Sequence, residues 1–148
     1  MSVFIDTNVF VYAVDPLDPE KQARAREVLR RVGMAGQGVI STQVAAEFTA
    51  VVSRRAGRSS ARTAVSRTAR LMLDVWRVEP VDTAVVSAAL ALHERQAMSY
   101  WDAQILASAK LAGCSVLLTE DVLAPRLLGV EYLNPFTEGF DVAGLETE

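Results

Sequence analysis

The apolar residues of this chain form short runs that alternate with longer segments of helical character. Runs rich in Val, Ile and Leu with turn residues on both sides predict short strands. Asp or Ser before a segment, and Gly or Pro at its limits, predict where helices begin and end. The predicted strands cover residues 3–6, 38–40, 76–79, 115–119 and 129–133, and the predicted helices cover residues 9–13, 19–32, 42–55, 59–75, 83–95 and 100–112.

Strands that alternate with helices predict a parallel sheet with helices on both faces. We therefore expect an α/β protein in which four to five strands form a central, mostly parallel sheet, with the strand at 129–133 at an edge. A length of 148 residues suits one domain, which we place at residues 1–136. From Asn134 onward the chain is polar and acidic, and we expect this segment, including an acidic tail at 137–148, to be loosely held.

The composition argues against a disordered chain and against a membrane-spanning one. Hydrophobic residues make up 51% of the chain and charged residues 22%, which supplies enough apolar surface for a core. No apolar run reaches the roughly 18 residues that a membrane span needs, and the beginning of the chain does not resemble a signal peptide. Cys114 is the single cysteine, and we expect it to be packed rather than reactive. These features predict a cytoplasmic protein.

The net charge is −3 at pH 7, but arginine is concentrated in one stretch. Between Glu47 and Asp74 the chain carries six arginines and no acid. Such a concentration can mark a site for a polyanion, and it can equally reflect two solvated helix faces. The arginines are Arg54, Arg55, Arg58, Arg62, Arg67 and Arg70.

Four carboxylates interrupt segments that are otherwise apolar: Asp6, Glu47, Asp102 and Asp121. Asp6 and Asp121 lie at or just past the ends of two predicted strands, and ligands of parallel sheets bind beyond the carboxyl ends of the strands. If those two strands are neighbours, the four groups can meet in one cleft. Burying a lone carboxylate is costly, and several acids without matching cations favour a bound metal ion. The sequence therefore predicts a metal site.

Each of these acids also has a structural interpretation. Asp6 can cap the helix that follows it, and Asp102 stands three residues after Ser99 in a pattern like a capping box. Asp121 can be a turn residue, and Glu47 can reach solvent from the edge of its helix. Taken together, these interpretations require four independent coincidences at one edge of a sheet.

Other catalytic centres have little support in the sequence. A metal-free ribonuclease and a Ser-His-Asp hydrolase both need a histidine, and His93 is the only one. It stands inside a predicted helix, where we expect it at the surface or in packing. No G-x-S-x-G, G-x-x-x-x-G-K-[ST] or G-x-G-x-x-G motif is present. Phosphoryl transfer through Asp6 stays open, although Asn8 stands where a second acid is usual.

Several segments resemble the motifs of the PIN domain family. Residues 3–8 (VFIDTN) resemble its opening, and residues 99–103 (SYWDA) and 117–121 (LLTED) resemble its two later acidic motifs. Glu47 matches the acid between them, and residues 134–136 (NPF) resemble the VapC-type toxin subgroup. The resemblance covers residues 3 to about 136 and implies a three-layer PIN-like fold.

The resemblance implies a ribonuclease that depends on Mg²⁺ or Mn²⁺. Asp6, Asp102 and Asp121 are expected to bind the metal, directly or through water. Glu47 is expected to hold a metal-bound water or a second ion. Because Mg²⁺ prefers oxygen ligands and keeps several waters, these residue types suit it.

Further residues and partners follow from the same resemblance. Thr7, Asn8 and Thr119 are expected to orient the carboxylates or the phosphate by hydrogen bonds, whereas Glu120 is expected to face solvent. The family implies a toxin that cleaves RNA, is neutralised by a cognate antitoxin and forms a homodimer. The apolar helix at residues 83–92 is then buried in the dimer, under the antitoxin or within the fold. The residues expected to guide RNA are Arg54, Arg55 and Arg58.

Two other functions stay open at the level of the sequence. One is a PIN-fold module that binds RNA or protein without cleaving it, against which the four intact acids argue. The other is a metal-dependent DNA nuclease or phosphatase.

Overall fold

A mostly parallel six-stranded sheet forms the centre of the computed structural model, which describes residues 1–146. The expected α/β architecture is confirmed. The strands are β1 (Val3–Ile5), β2 (Gly38–Ser41), β3 (Arg77–Glu79), β4 (Val116–Leu118), β5 (Arg126–Leu127) and β6 (Val130–Leu133). The helices are α1 (Thr7–Ala13), α2 (Pro19–Met34), α3 (Thr42–Ala56), α4 (Ser59–Val75), α5 (Thr83–Arg95) and α6 (Tyr100–Leu111), followed by a short 3₁₀ helix at Ala143–Glu146.

The strand order places β1 and β4 side by side in the middle of the sheet. The order is β3-β2-β1-β4-β6-β5, and every pair is parallel except β5 with β6. Ile5 of β1 lies opposite Leu118 of β4. The residues that follow these two strands, Asp6 and Thr119, therefore emerge next to each other at the carboxyl edge.

The strand predicted at an edge is not at one. β6 pairs with β4 on one side and with β5 on the other. β5 was not predicted because it is only two residues long. The turn that joins β5 to β6 has positive φ at both Leu128 (51°) and Gly129 (85°), as in the two-residue turns that suit hairpins. Leucine rarely adopts this conformation, so Leu128 and Gly129 are not a recognisable hairpin turn in the sequence.

The central strands are apolar throughout because they are buried on both faces of the sheet. All residues of β1 and β4 are buried, which is typical of parallel strands covered on both faces. Gly38 at the start of β2 lies against the indole of Trp76, and a Cβ at this position would come within 2.2 Å of that ring. Trp76 also contacts Phe10 edge to face, with ring centroids 5.7 Å apart.

The segment after Asn134 is more ordered than we expected. Val142 and Leu145 are buried in the hydrophobic core, and Phe136 and Phe140 pack against it. The acids of this segment obscured the spacing of its apolar residues. The boundary at residue 136 stays a prediction, and the last two residues of the predicted tail, 147 and 148, lie outside the described residues.

Four smaller expectations can be compared with the structure. Cys114 is buried, as expected of a packed thiol. His93 is exposed, and its Nδ1 lies 3.0 Å from the carbonyl oxygen of Met98. α5 buries Val85 and Ala89 in a small cluster with α6, so part of this helix is internal. Among residues 1–146, no helix combines the length and the apolar character needed to cross a membrane.

Candidate active site

A cleft of about 250 Å³ lies at the carboxyl edge of β1 and β4. Its walls come from α1, α3, the first turns of α6 and the loop after β4. All four predicted carboxylates line it, together with polar, apolar and aromatic side chains. The lining residues are Asp6, Thr7, Asn8, Val11, Tyr12, Gln43, Glu47, Val51, Arg55, Trp101, Asp102, Ile105 and Asp121.

Asp6 caps α1 and lines the cleft at the same time. Its Oδ1 accepts a hydrogen bond from the backbone N–H of Thr7 at 2.7 Å, and its Oδ2 accepts one from the Thr119 hydroxyl at 2.8 Å. Burial raises the pKa of Asp6 to about 6. The two hydrogen bonds oppose this rise, and the negative charges of Glu47 and Asp121 add to it.

Thr119 and Asn8 connect the end of β1 to the loop after β4. The buried Thr119 hydroxyl donates to Asp6 and accepts from Asn8 Nδ2 at 3.3 Å and from the N–H of Asp121 at 3.1 Å. Asn8 Nδ2 also donates to Asp121 Oδ2 at 3.4 Å, and Asn8 Oδ1 accepts from the N–H of Glu120 at 3.3 Å. These contacts use every hydrogen-bonding position of the threonine hydroxyl.

Glu47 is half-buried and held on both of its oxygens. The Thr7 hydroxyl donates to Oε2 at 2.9 Å, and Gln43 Nε2 donates to Oε1 at 2.8 Å. The alternative in which Glu47 simply extends into solvent from the edge of α3 therefore does not describe this side chain.

Asp102 also combines a helix-capping contact with a place on the cleft wall. The hydroxyl of Ser99, the N-cap of α6, accepts from the N–H of Asp102 at 3.1 Å and donates to Asp102 Oδ2 at 2.8 Å. Asp102 can therefore take part in capping α6 and still line the cleft. Asp121, in contrast, is exposed on the loop after β4.

The donor set of the cleft fits a hard divalent cation. Within residues 1–146, no group of three or more acidic, histidine or cysteine side chains is arranged to hold a metal ion as it stands. Mg²⁺ usually binds proteins through one or two carboxylates and keeps several of its waters, so it does not require such a group. The hydrogen-bond donors to Asp6 in the described structure are a hydroxyl and a backbone amide, and both are uncharged. The charge of the Asp6 carboxylate is therefore not neutralised by these partners, which suits a bound cation.

We expected Glu120 to face solvent, and it does not. It forms an ion pair with Lys21 of α2 and accepts a hydrogen bond from the Tyr12 hydroxyl at 2.6 Å. Burial acts to raise the pKa of Glu120, but the hydrogen bonds from Lys21 and Tyr12 outweigh it, and the pKa is lowered. The two partners stand 99 and 108 residues away in the sequence, so no local pattern indicated them.

Only one of the three arginines predicted to guide RNA lines the cleft. Arg55 lies on its wall, where its guanidinium is 3.5 Å from the Asp15 carboxylate. Arg54 and Arg58 are exposed and lie outside the cleft lining. Arg54 lies beside Arg55 in the last turn of α3, but a helix directs neighbouring positions to different faces. Arg58 lies beyond the end of α3, as the N-cap residue of α4.

Sequence reasoning missed several residues of the site. Gln43 contacts Glu47, and Trp101 lines the cleft with 61% of its surface exposed. Tyr132 of β6 shares a small pocket below the cleft with Asp6 and Asp102. Burial raises the pKa of Tyr132 to about 12, and the charges of Asp102 and Asp6 add to this rise. Trp101 could have been found from its place beside Asp102, whereas Tyr132 required the sheet order.

The fold and the acidic cleft together define a known class of protein. Residues 3–126 match the PIN domain family model, and the chain belongs to that family. A comparison with curated proteins gives no match.

Three solved structures show the same fold. A toxin–antitoxin complex from Klebsiella pneumoniae matches with 20% identity and a TM-score of 0.65, over 90% of this chain and 98% of that chain. VapC20 from Mycobacterium tuberculosis, described as a Sarcin-Ricin loop cleaving toxin, matches with 24% identity and a TM-score of 0.64, over 88% and 99%. VapBC2 from Rickettsia felis, bound to a fragment of its promoter DNA, matches with 17% identity and a TM-score of 0.63, over 90% and 98%.

Proposed function

We propose that this PIN domain protein is a metal-dependent endoribonuclease and the toxin of a type II toxin–antitoxin module. The observation that carries the proposal is the meeting of Asp6, Glu47, Asp102 and Asp121, from four separate segments, in one cleft. Membership of the PIN domain family supports a nuclease. The similarity in fold to VapC20, which is described as a Sarcin-Ricin loop cleaving toxin, supports RNA as the substrate.

We assign metal binding to Asp6, Asp102 and Asp121, with Glu47 beside them. When bound there, Mg²⁺ or Mn²⁺ lowers the pKa of a water molecule and neutralises charge on the phosphate. Thr119 and Thr7 hold Asp6 so that its carboxylate stays at the end of β1.

Asn8 and Glu47 complete the proposed arrangement. Asn8 links Asp121 to Thr119 and so limits the movement of the exposed loop after β4. Each oxygen of Glu47 accepts one hydrogen bond from the protein and retains capacity for another. Glu47 can therefore orient a water in the cleft and accept its proton.

Binding of RNA to an acidic cleft requires cationic groups at its rim. Arg55 lies on the cleft wall, and we assign it a contact with a phosphate that requires its guanidinium to leave Asp15. Arg54 and Arg58 contribute a more distant positive potential, because both are exposed on the same part of the chain.

The proposed partners are an antitoxin and a second copy of this chain. The structures with the same fold include a toxin–antitoxin complex. An antitoxin that binds over the cleft gives a cytoplasmic ribonuclease a means of control. A homodimer accounts for the exposure of Leu90 on the outer side of α5, which is 49% exposed in the single chain.

The direct test is cleavage of labelled RNA by purified protein in Mn²⁺ or Mg²⁺. We expect the wild type to cleave, and Asp6→Asn and Asp102→Asn to lose the activity. Asp74→Asn is the matched control, because Asp74 is exposed near the end of α4 and away from the cleft lining. Full activity of Asp6→Asn in excess EDTA would contradict the proposal.

Two extensions separate the neighbouring functions. Single-stranded DNA, flapped duplex DNA and a phosphomonoester in the same assay distinguish a ribonuclease from a DNA nuclease or a phosphatase. Binding of RNA without cleavage of any substrate would favour a non-catalytic module. Induced expression should arrest growth for the wild type and not for Asp6→Asn, and sequencing of new RNA 5′ ends then identifies the cleaved target.

A further inference from the structure

A chain of hydrogen bonds crosses from the first turn of α6 to Glu47 through two buried glutamines. The Tyr100 hydroxyl donates to Gln104 Oε1 at 2.8 Å, and Gln104 Nε2 donates to Gln43 Oε1 at 2.8 Å. Gln43 Nε2 then donates to Glu47 Oε1 at 2.8 Å. Its second contact is the backbone oxygen of Trp101, at 3.4 Å.

The orientation of both amides is determined from the Glu47 end. An ionised carboxylate only accepts hydrogen bonds, so Gln43 must present its NH₂ group to Glu47. The carbonyl oxygen of Gln43 then faces Gln104, and Gln104 must donate a hydrogen bond to it from its own NH₂ group. The carbonyl oxygen of Gln104 is left for the Tyr100 hydroxyl, which donates to it. Every member of the chain therefore has one orientation.

The position of Gln43 connects the two helices that carry acids of the site. Glu47 lies one turn further along α3, and Asp102 lies in the first turn of α6, next to Trp101. Gln43 and Gln104 expose only 7% and 6% of their surface. Burying two amides is unfavourable unless they are hydrogen-bonded, and an apolar side chain would fill the same space without that cost.

We propose that Gln43 is a positioning residue that holds Glu47 toward the cleft and keeps α3 at a fixed place beside Asp102. Gln104 and Tyr100 hold Gln43 in turn. This inference rests on the proposed function, in which Glu47 and Asp102 act on the same substrate. Residues that orient metal ligands through hydrogen bonds commonly change metal affinity or activity by 10–100-fold when they are replaced.

The test compares Gln43→Leu, Gln43→Met and Gln104→Leu with wild type. Gln96→Leu is the matched control, since Gln96 is exposed after the end of α5. The measurements are kcat and KM for RNA cleavage and the Mn²⁺ Kd from isothermal titration calorimetry. For both Gln43 variants we expect kcat to fall about 10–100-fold, a KM for RNA within about threefold of wild type, and weaker Mn²⁺ binding.

Gln104→Leu should show the same pattern with a smaller loss of kcat, and Gln96→Leu should match wild type. The two Gln43 variants differ in shape, so one can be measured if the other does not fold. Folded Gln43 variants that keep kcat and Mn²⁺ affinity within about twofold of wild type would overturn the inference.

A further readout separates this inference from the proposed function. If wild type cleaves no RNA, the proposed function fails, and the NMR signal of the Glu47 carboxyl carbon in metal-free protein decides the role of Gln43. Gln104 has no hydrogen bond to Glu47 in the described structure. Gln104→Leu should therefore shift this signal only through Gln43, whereas an unchanged signal would overturn the inference.

Discussion

Asp6 and Glu120 lie at the same edge of the sheet but in opposite electrostatic environments. Glu120 is paired with the Lys21 ammonium and bonded to the Tyr12 hydroxyl, and its pKa is lowered. Within residues 1–146, Asp6 receives hydrogen bonds only from Thr7 and Thr119, and burial raises its pKa to about 6. Among the described residues, a cationic side chain pairs with Glu120 and none pairs with Asp6.

This difference indicates which acids serve the fold and which serve a ligand. A carboxylate neutralised within the protein needs no further cation, so Glu120 stabilises the packing of α1 and α2 against the loop after β4. A carboxylate that is buried without a cation makes the folded state less stable unless a cation binds. Asp6 is of the second kind, which supports the proposed metal site.

The largest predicted effect compares neighbouring residues on one loop. Asp121→Asn should reduce RNA cleavage by more than about a hundredfold. Residues that only orient a metal-binding side chain usually have a smaller effect when they are replaced. Glu120→Gln should stay within about threefold of wild type, because the glutamine oxygen can still accept from Lys21 and its NH₂ group can donate to the Tyr12 hydroxyl. Initial rates on labelled RNA in Mn²⁺ measure both, and equal losses in the two variants would break the comparison.

The next prediction concerns the pH dependence of stability without metal. The pKa of Asp6 is about 6 in the folded protein against 3.8 for the free group, so the folded state binds the proton more tightly. The favourable contribution of a protonated Asp6 is complete below pH 3.8 and is lost as the pH rises through 6. The change in the free energy of unfolding is about 3 kcal/mol.

Urea denaturation in EDTA from pH 4 to 7.5 measures this change as the difference between wild type and Asp6→Asn. Glu120 should act with the opposite sign, because its pKa is lowered and its contribution is lost as the pH falls. A difference between wild type and Asp6→Asn that does not vary with pH would contradict the raised pKa of Asp6.

A smaller effect is expected at one pH. In EDTA at pH 7.5, Asp6→Asn should raise the free energy of unfolding by about 1–2 kcal/mol, since the removal of a buried charge outweighs the loss of the hydrogen bond from Thr119. Asp74→Asn should leave stability within about 0.5 kcal/mol of wild type, as is usual at exposed positions. Destabilisation by Asp6→Asn would mean that its hydrogen bonds outweigh the cost of its charge.

The smallest effect is predicted at the paired carboxylate. Lys21→Met should lower the free energy of unfolding by about 1 kcal/mol or less, because this ion pair is partly exposed and such pairs contribute little. It should leave Mn²⁺ affinity near that of wild type. A strong loss of Mn²⁺ affinity in Lys21→Met would mean that Lys21 and Glu120 belong to the metal site. Glu120 would then no longer differ from Asp6 in its role.

The parts of the site that could be predicted from the sequence follow from local patterns. Asp6 directly follows an apolar strand, and Asp121 follows another after two polar residues. Parallel strands bring such positions to one edge. Ser99 and Asp102 carry a helix-start pattern in four residues, and the structure contains the corresponding contacts.

The parts that could not be predicted depend on contacts distant in sequence. Gln43 and Gln104 are 61 residues apart, and either one alone is an ordinary helical glutamine. Lys21 is 99 residues from Glu120. Val142 looked like part of a polar tail, because its burial depends on the packing of the segment against the core.

The most direct test of the proposed metal site is isothermal titration calorimetry of Mn²⁺ binding to the metal-free protein at pH 7.5. It measures whether the cleft carboxylates bind a divalent cation. Wild type and Asp74→Asn should bind Mn²⁺ with the same affinity, and Asp6→Asn and Asp102→Asn should bind at least about tenfold more weakly. A wild-type protein that binds no Mn²⁺, or four proteins that bind it equally, would contradict a metal site in this cleft.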